Sequence, residues 1–426
     1  METYRKRIAD GRLAEALEVK GAVLVEGLKW CGKTTTAEQA AKSVLYLDEP
    51  DRLAQNLELA AIRPSRLLEG DKPRLIDEWQ IAPALWDAVR HAIDRARRAQ
   101  GLFILTGSTV PPKADATLHT GIGRITRLRM RTMTLWESGE SSGEVSLGDL
   151  FAGADPTGAR AGADFDALAF AVCRGGWPAA VGMRGRRALA HAPDYVETVA
   201  ESDISRIDGV SRDPETARRV LRSLARLQGS QAAATAIRDD VAANETDSFS
   251  EDTVASYLGA LRKLFVVEDM PAWCPNLRCK TPVRTTDTRY FSDPSVAAAA
   301  LGLGPADLLS DLSTYGLFFE TLVVRDLRVY AEALGGTVRH YRDKSGLECD
   351  AVVHLRNGDY GLVEIKLGGA PLIAKGVGSL QALAGKVDGK KTKPPAFRMV
   401  VVADGDFAYR RKEDGVLVCP ISCLRP

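Results

Sequence analysis

The chain carries almost no net charge, a scattered and odd set of cysteines, and no long apolar run. In its 426 residues, 57 Lys and Arg face 56 Asp and Glu, so overall charge supplies no pull toward nucleic acid or an anionic membrane. Any basic surface must be local. Seven dispersed cysteines argue against a disulfide framework. Cys274 and Cys279 bracket Pro275, but no second Cys or His pair stands near enough to complete a zinc site. No stretch approaches the ~20 consecutive apolar residues that span a bilayer, and the alanine-rich run at 296–301 stops at Gly302. At the start, Arg5, Lys6, Arg7 and Asp10 are followed by no apolar segment of the signal type. A cytoplasmic chain is expected. Its length predicts about three domains at roughly 150 residues each.

What is present is organised around one stretch. Gly27-Leu28-Lys29-Trp30-Cys31-Gly32-Lys33-Thr34 fits G-x-x-x-x-G-K-[ST] at every defined position. Val23, Leu24 and Val25 lead into it as a strand, and Thr35, Thr36, Ala37, Glu38 and Gln39 leave it with helix-compatible residues. Glycines let backbone N–H groups turn inward around phosphate oxygens, at the positive end of the following helix. The loop through Thr35 is therefore the expected ATP site, with Lys33 on the terminal phosphates and the Thr34 hydroxyl on Mg2+.

Apolar runs then alternate with helical stretches: 44–47 before Asp48, 74–76 before Asp77 and Glu78, and 102–105 before Thr106, Gly107 and Ser108. This predicts a doubly wound parallel sheet, with ligands at the carboxyl ends of its strands. Asp77 is expected to hold magnesium, largely through water, and Glu78 to orient the attacking water. Ser108 is the candidate sensor of the terminal phosphate, with Thr106 competing. Arg127, Arg129 and Arg131 alternate along a further strand. They fit either transition-state neutralisation, in cis or across a subunit interface, or a solvated edge strand.

The core is thus placed at 1–138. A Gly-, Ser- and Asp-rich stretch at 139–162 and the helical residues after it read as a small lid, 139–194. Residues 195–292 show helices with Val220, Leu221, Leu224 and Leu227 on one face, then Val254, Tyr257, Leu258, Leu261 and Leu264 on another. Strand-like runs at 265–269 and 289–292 follow. Helices ending in a β ribbon predict a winged helix, with Arg262 and Lys263 near DNA phosphates or the module serving as a protein contact.

In 293–426, the runs at 347–353 and 361–366 flank Asn357-Gly358, a type I′ hairpin signal. Glu364 and Lys366, two residues apart, share one strand face. Asp350 lies on the paired strand, and Glu320 sits on an apolar helix at 315–330. The four predict one divalent-metal site of nuclease type, with Asp350 and Glu364 as ligands and Lys366 acting on water.

Together GLKWCGKTTTA, RLIDEWQ, FILTGS, GIGRI, LECDAVV and GLVEIKLG resemble a widespread prokaryotic family of ATP-binding proteins. In that family an AAA-type core joins a C-terminal domain of unknown function, number 4143. The resemblance implies a P-loop ATPase followed by a winged helix and an α/β fold similar to PD-(D/E)xK restriction endonucleases. It places Gly27, Gly32, Lys33 and Thr34 in Walker A, Asp77 and Glu78 in Walker B, and Ser108 as sensor. Arg124 falls at the family's Gly-Arg step, as arginine finger or its cis equivalent, a role compatible with a homo-oligomer. Glu320, Asp350, Glu364 and Lys366 fall at the nuclease positions, with Glu348 as an additional acid. Trp30 and Cys31 make this loop bulkier than most of the family. An ATPase acting on DNA is the expected function. A nucleotide-dependent switch with a silent nuclease-like domain, or a protein-interaction platform, are the alternatives.

Overall fold

Five short apolar runs become the strands of one parallel sheet. The computed structural model describes residues 4–109, 123–242, 250–275, 286–387 and 392–426; Cys279 and the Gly121-Ile122 step of GIGRI lie outside them. The chain forms two units. The first holds Met1–Thr132, Asp203–Ser211 and Ala260–Phe265, the second Met133–Ser202, Arg212–Gly259 and Val266–Pro426.

In the first unit β1 (Ala22–Glu26), β2 (Ser43–Tyr46), β3 (Arg74–Asp77), β4 (Phe103–Gly107) and β5 (Ile125–Arg129) lie in the order β2-β3-β4-β1-β5, all parallel. The central strands read as continuous apolar runs because helices cover both faces of such a sheet; β1 and β4 are buried at every position. Helix Ala84–Arg95 buries Leu85, Trp86, Val89 and Ile93, an i, i+1, i+4, i+8 stripe, in the same core as Leu24, Ile76 and Leu105. Each large apolar side chain so buried contributes about 1.5–3 kcal/mol.

The second unit contains β6 (Val145–Ser146), the helices Phe165–Arg174, Pro214–Leu227 and Ala234–Ala242, and an antiparallel ribbon of β7 (Val267–Met270) and β8 (Thr288–Phe291). Helix Leu312–Ala333 then leads into a six-stranded mixed sheet. Its strands are β9 (Gly336–Arg342), β10 (Glu348–Leu355), β11 (Tyr360–Lys366), β12 (Phe397–Val402), β13 (Tyr409–Arg410) and β14 (Leu417–Pro420), in the order β13-β14-β12-β11-β10-β9. Helix Ala370–Lys386 lays Val377, Leu380 and Leu383 on Val352, Leu362, Val400 and Val402.

Residues 139–194 fall in the second unit. The final strand β15 (Leu424–Arg425) pairs with β6, and the Ser141 hydroxyl donates to the Leu424 carbonyl at 2.6 Å. A composition shift marks a loop but not the surface on which it settles. The β10–β11 turn differs from a type I′ turn. Gly358 has φ 86° and Asn357 is absent from the left-handed residues, while the Gly358 N–H donates to Leu355 O at 3.0 Å. This is a type I turn closed by a left-handed glycine, the longer hairpin connection.

Candidate nucleotide and carboxylate sites

The loop leaves β1 at its carboxyl end and enters helix Lys33–Ala40 through Gly32, whose φ of 97° suits glycine. Gly27 is required for a different reason. A Cβ there would lie 2.0 Å from the Met130 carbonyl oxygen. Trp30 holds φ 62° without being glycine, a conformation costing roughly 1–2 kcal/mol, and its indole is exposed. Leu28 and Cys31 are buried, and the Cys31 carbonyl accepts from Arg7 Nη1 at 2.9 Å. Lys33 is buried and its Nζ donates to Leu28 O at 2.7 Å. Lys29 Nζ lies 2.6 Å from Asp203 Oδ1. Thr35 follows in the first helical turn, exposed.

Strand order carries the acids to this loop. β4 lies between β1 and β3, so Thr106 and Ser108 sit between the loop and the Asp77-Glu78 pair. Thr34 Oγ1 donates to Asp77 Oδ1 at 2.8 Å, and the Thr106 hydroxyl donates to the same oxygen. Burial pushes the Asp77 carboxyl up, opposed by these two hydroxyls and reinforced by the charges of Glu78 and Asp48. Glu78 adopts φ 52°. Its N–H donates to Thr106 Oγ1 at 3.1 Å, and its carboxylate accepts from Ser108 Oγ at 3.1 Å and from Gln80 Nε2. Strained backbone of this kind concentrates at functional sites. The two sensor candidates thus divide the acids, Thr106 holding Asp77 and Ser108 holding Glu78. A loop with left-handed Gly32 as N-cap, a buried ammonium and a threonine hydroxyl against a buried carboxylate form a donor set that suits a magnesium nucleotide.

Three of the four C-terminal residues meet, and Glu320 lies near them. Lys366 Nζ is 2.8 Å from Asp350 Oδ2 and 2.8 Å from Glu364 Oε2. Asp350 Oδ2 also accepts the Ile365 N–H at 2.7 Å. Glu320 and Asp350 line one cleft with Glu348, Arg342 and His340. Burial pushes the Glu320 and Glu364 carboxyls up, and the charge of Asp350 adds to both shifts. Burial alone would lower the Lys366 ammonium, but Asp350 and Glu364 raise it. Among the described residues no three His, Cys, Asp or Glu side chains form a ready-made cation cage. Glu364 Oε1 is nevertheless buried without a hydrogen-bond partner, an orphan acceptor that suits a cation. Periodicity gave no sign of Tyr290, on β8, whose hydroxyl donates to Glu320 Oε1 at 2.6 Å.

Residues 19–138 match the family described as AAA domain. This chain carries an AAA domain. Residues 165–307 and 315–424 match two domains of unknown function, DUF8612 and DUF4143. The uncharacterized protein Mb2031c of Mycobacterium bovis and the uncharacterized protein Rv2008c of Mycobacterium tuberculosis are each 25% identical over 382 residues, 88% of this chain and 76% of theirs. Among solved structures, the Walker-type ATPase PABY2304 of Pyrococcus abyssi covers 70% of this chain and 96% of its own at 16% identity and a TM-score of 0.43. The Aeropyrum pernix ORC2 protein covers 71% and 91% at 13% identity and 0.32. A point variant of RuvB from Thermotoga maritima covers 62% and 88% at 19% identity and 0.27. At such partial overlap, the AAA assignment stands on the family match and on the sheet order and loop geometry above.

Within the AAA domain the structure does not bring Arg124 to the loop. Ile125 pairs with Ala22 and Arg129 with Glu26, so Arg124 stands beyond the amino end of the sheet. That is a strand length from the loop, ~13 Å or more at ~3.3 Å per residue. There its guanidinium forks onto Asp94 at 3.0 and 3.3 Å. Lys263, expected beside DNA phosphates, is paired with Asp208 at 3.0 Å. Arg7 and Asp203, which brace the loop, went unread because residues so far from the motif in sequence carry no local signal.

Proposed function

We propose that this protein hydrolyses ATP in its AAA domain and uses the nucleotide state to govern how the C-terminal half engages DNA. The observation that carries the first part is the Asp77 carboxylate held between Thr34 and Thr106, with Glu78 positioned by Ser108. Lys33 would leave the Leu28 carbonyl for the terminal phosphates. Glu78 would hold the attacking water in line. Magnesium, on Thr34 and through water on Asp77, would supply neutralisation of the phosphate charge. With Arg124 at the far end of the sheet, a finger role belongs to a neighbouring subunit. Glu78→Gln should retain nucleotide binding and lower turnover about 10²–10⁴-fold; phosphate-release kinetics beside a binding titration would expose unchanged turnover, which would sink the role of Glu78.

The C-terminal reading is a PD-(D/E)xK-like domain in which Asp350 and Glu364 hold a divalent cation, Lys366 activates water and Glu320 completes the acid set. The unpartnered Glu364 Oε1 supports it. Helices Pro214–Leu227, Ala234–Ala242 and Glu251–Lys263 followed by the β7–β8 ribbon support a winged helix before it. With Mg2+ or Mn2+ and varied DNA, cleavage should occur and vanish in Asp350→Ala and in Lys366→Ala. Products persisting in both would mark contamination. A silent domain that only binds DNA is the second reading, favoured by Lys366 closing both carboxylates in ion pairs. Salt-dependent binding without products would select it.

A further inference from the structure

We infer that Asp203 is a positioning residue for the nucleotide loop, and that its ion pair with Lys29 is exchanged for a phosphate contact when nucleotide binds. The inference rests on the ATP reading and concerns how that site is regulated.

Lys29 stands between the two loop glycines, and its ammonium lies 2.6 Å from Asp203. The partners are unequal. Asp203 is 5% exposed and Lys29 35%, so the carboxylate is fixed and the lysine, on a flexible stem, is the one able to move. Asp203 reaches this place by an irregularity. It ends a π-helical turn, Val199–Asp203, set between helices His191–Thr198 and Ile204–Arg206. One extra residue rotates the face presented afterwards by about 100°, and such turns recur at functional sites.

Asp203 also opens the first of two segments that return to the AAA unit, Asp203–Ser211 and Ala260–Phe265. Lys263 and Asp208, 3.0 Å apart, tie the two together. The Phe265 ring lies under the Arg129 guanidinium at 3.9 Å, at the carboxyl end of β5. The pair of segments is therefore a tab pinned at the nucleotide end of the sheet, with Asp203–Lys29 as its link to the loop. In the chain, this tab runs on into helix Pro214–Leu227 and into β7, the elements proposed as the winged helix.

Both loop lysines are thus parked on protein acceptors, Lys33 on Leu28 O and Lys29 on Asp203. A triphosphate brings several negative charges to the same loop. It competes with Asp203 for the Lys29 ammonium, so the ion pair opposes binding and its opening reports occupancy.

The test is a double-mutant cycle on the full-length protein, read by titration with a fluorescent ATP analogue. Asp203→Asn keeps shape and removes charge; it should tighten binding roughly two- to five-fold, the scale of a partly exposed ion pair. Lys29→Met should weaken binding by a similar factor. In the Lys29→Met background the Asp203→Asn gain should vanish, a result that a merely structural role for Asp203 would not produce. Unchanged or weaker binding by Asp203→Asn, or a gain that persists without Lys29, overturns the exchange. Should Asp203→Asn not fold, Lys29→Met alone decides, and unaltered affinity overturns it. A wild-type protein that binds no nucleotide fells the ATP reading and this inference together, whereas wild-type binding with an inert ion pair fells this inference alone.

Discussion

Lys33→Ala is expected to lower ATP turnover by about 10³-fold and to weaken nucleotide binding about 10- to 100-fold. The second figure follows from losing charge-assisted hydrogen bonds to phosphate, about 1.5–3 kcal/mol, and the first from losing a preorganised cation where charge builds up during phosphoryl transfer. Lys33 is buried at the loop end of β1, and its one hydrogen bond given by the structure goes to Leu28 O. A buried ammonium with so little compensation costs stability when no phosphate is present. The apo variant should accordingly melt no lower than the wild type, so lost activity cannot be traced to unfolding. Lys33→Arg should not rescue, because a planar guanidinium does not fit a cradle built for a point charge on a slim stem. Phosphate release, nucleotide titration and apo melting check the three statements. Equal turnover in Lys33→Ala would remove the ATPase assignment.

Arg325→Ala is expected to destabilise the second unit by about 3–5 kcal/mol, the usual cost of stripping one partner from a buried ion pair. Arg325 lies 3.0 Å from Asp293 and 2.8 Å from Asp326, all three essentially inaccessible. The carboxylates are also structural acceptors. Asp326 takes the Leu135 N–H at 2.9 Å and Asp293 the Gly176 N–H at 3.0 Å, tying residues before helix Leu312–Ala333 to that helix. Burial pushes Asp326 up to about 6 even against the pull of Arg325. A carboxyl raised above its unfolded value of ~3.9 favours the fold below that value and loses this contribution as pH rises through about 6. The variant should therefore be weakest at neutral and alkaline pH and recover partly toward mild acid. Asp293→Asn with Asp326→Asn in the Arg325→Met background should restore much of the loss. Urea unfolding across that pH range would show it, and a pH-independent deficit would contradict the buried-charge explanation.

These two sites differ in how much of them could be read before folding. The nucleotide loop was legible because its chemistry is local: two glycines, a lysine and a threonine at fixed spacing after a strand need only their own backbone. Asp77 and Glu78 were nearly as legible, since an apolar run ending in acids marks the ligand end of a parallel strand. Glu364 and Lys366 followed from period two alone. The buried triad of Asp293, Arg325 and Asp326 had no such signal, because a charged residue in a helix reads as solvated until tertiary packing covers it.

By itself the sequence determined which residues form the glycine-flanked loop between β1 and its helix, which acids end strands and which side chains share the β11 face, because each depends on spacing along one short segment. Strand order was decided only by the tertiary structure. Inserting β4 between β1 and β3 assigned Thr106 to Asp77 and Ser108 to Glu78, and the register of β5 carried Arg124 away from the loop. The same folding brought Asp203 to Lys29 and Tyr290 to Glu320, and placed residues 139–194 in the unit that holds the chain end. Each is a choice among distant partners of similar local character, made by long-range burial and pairing that no single stretch of chain encodes.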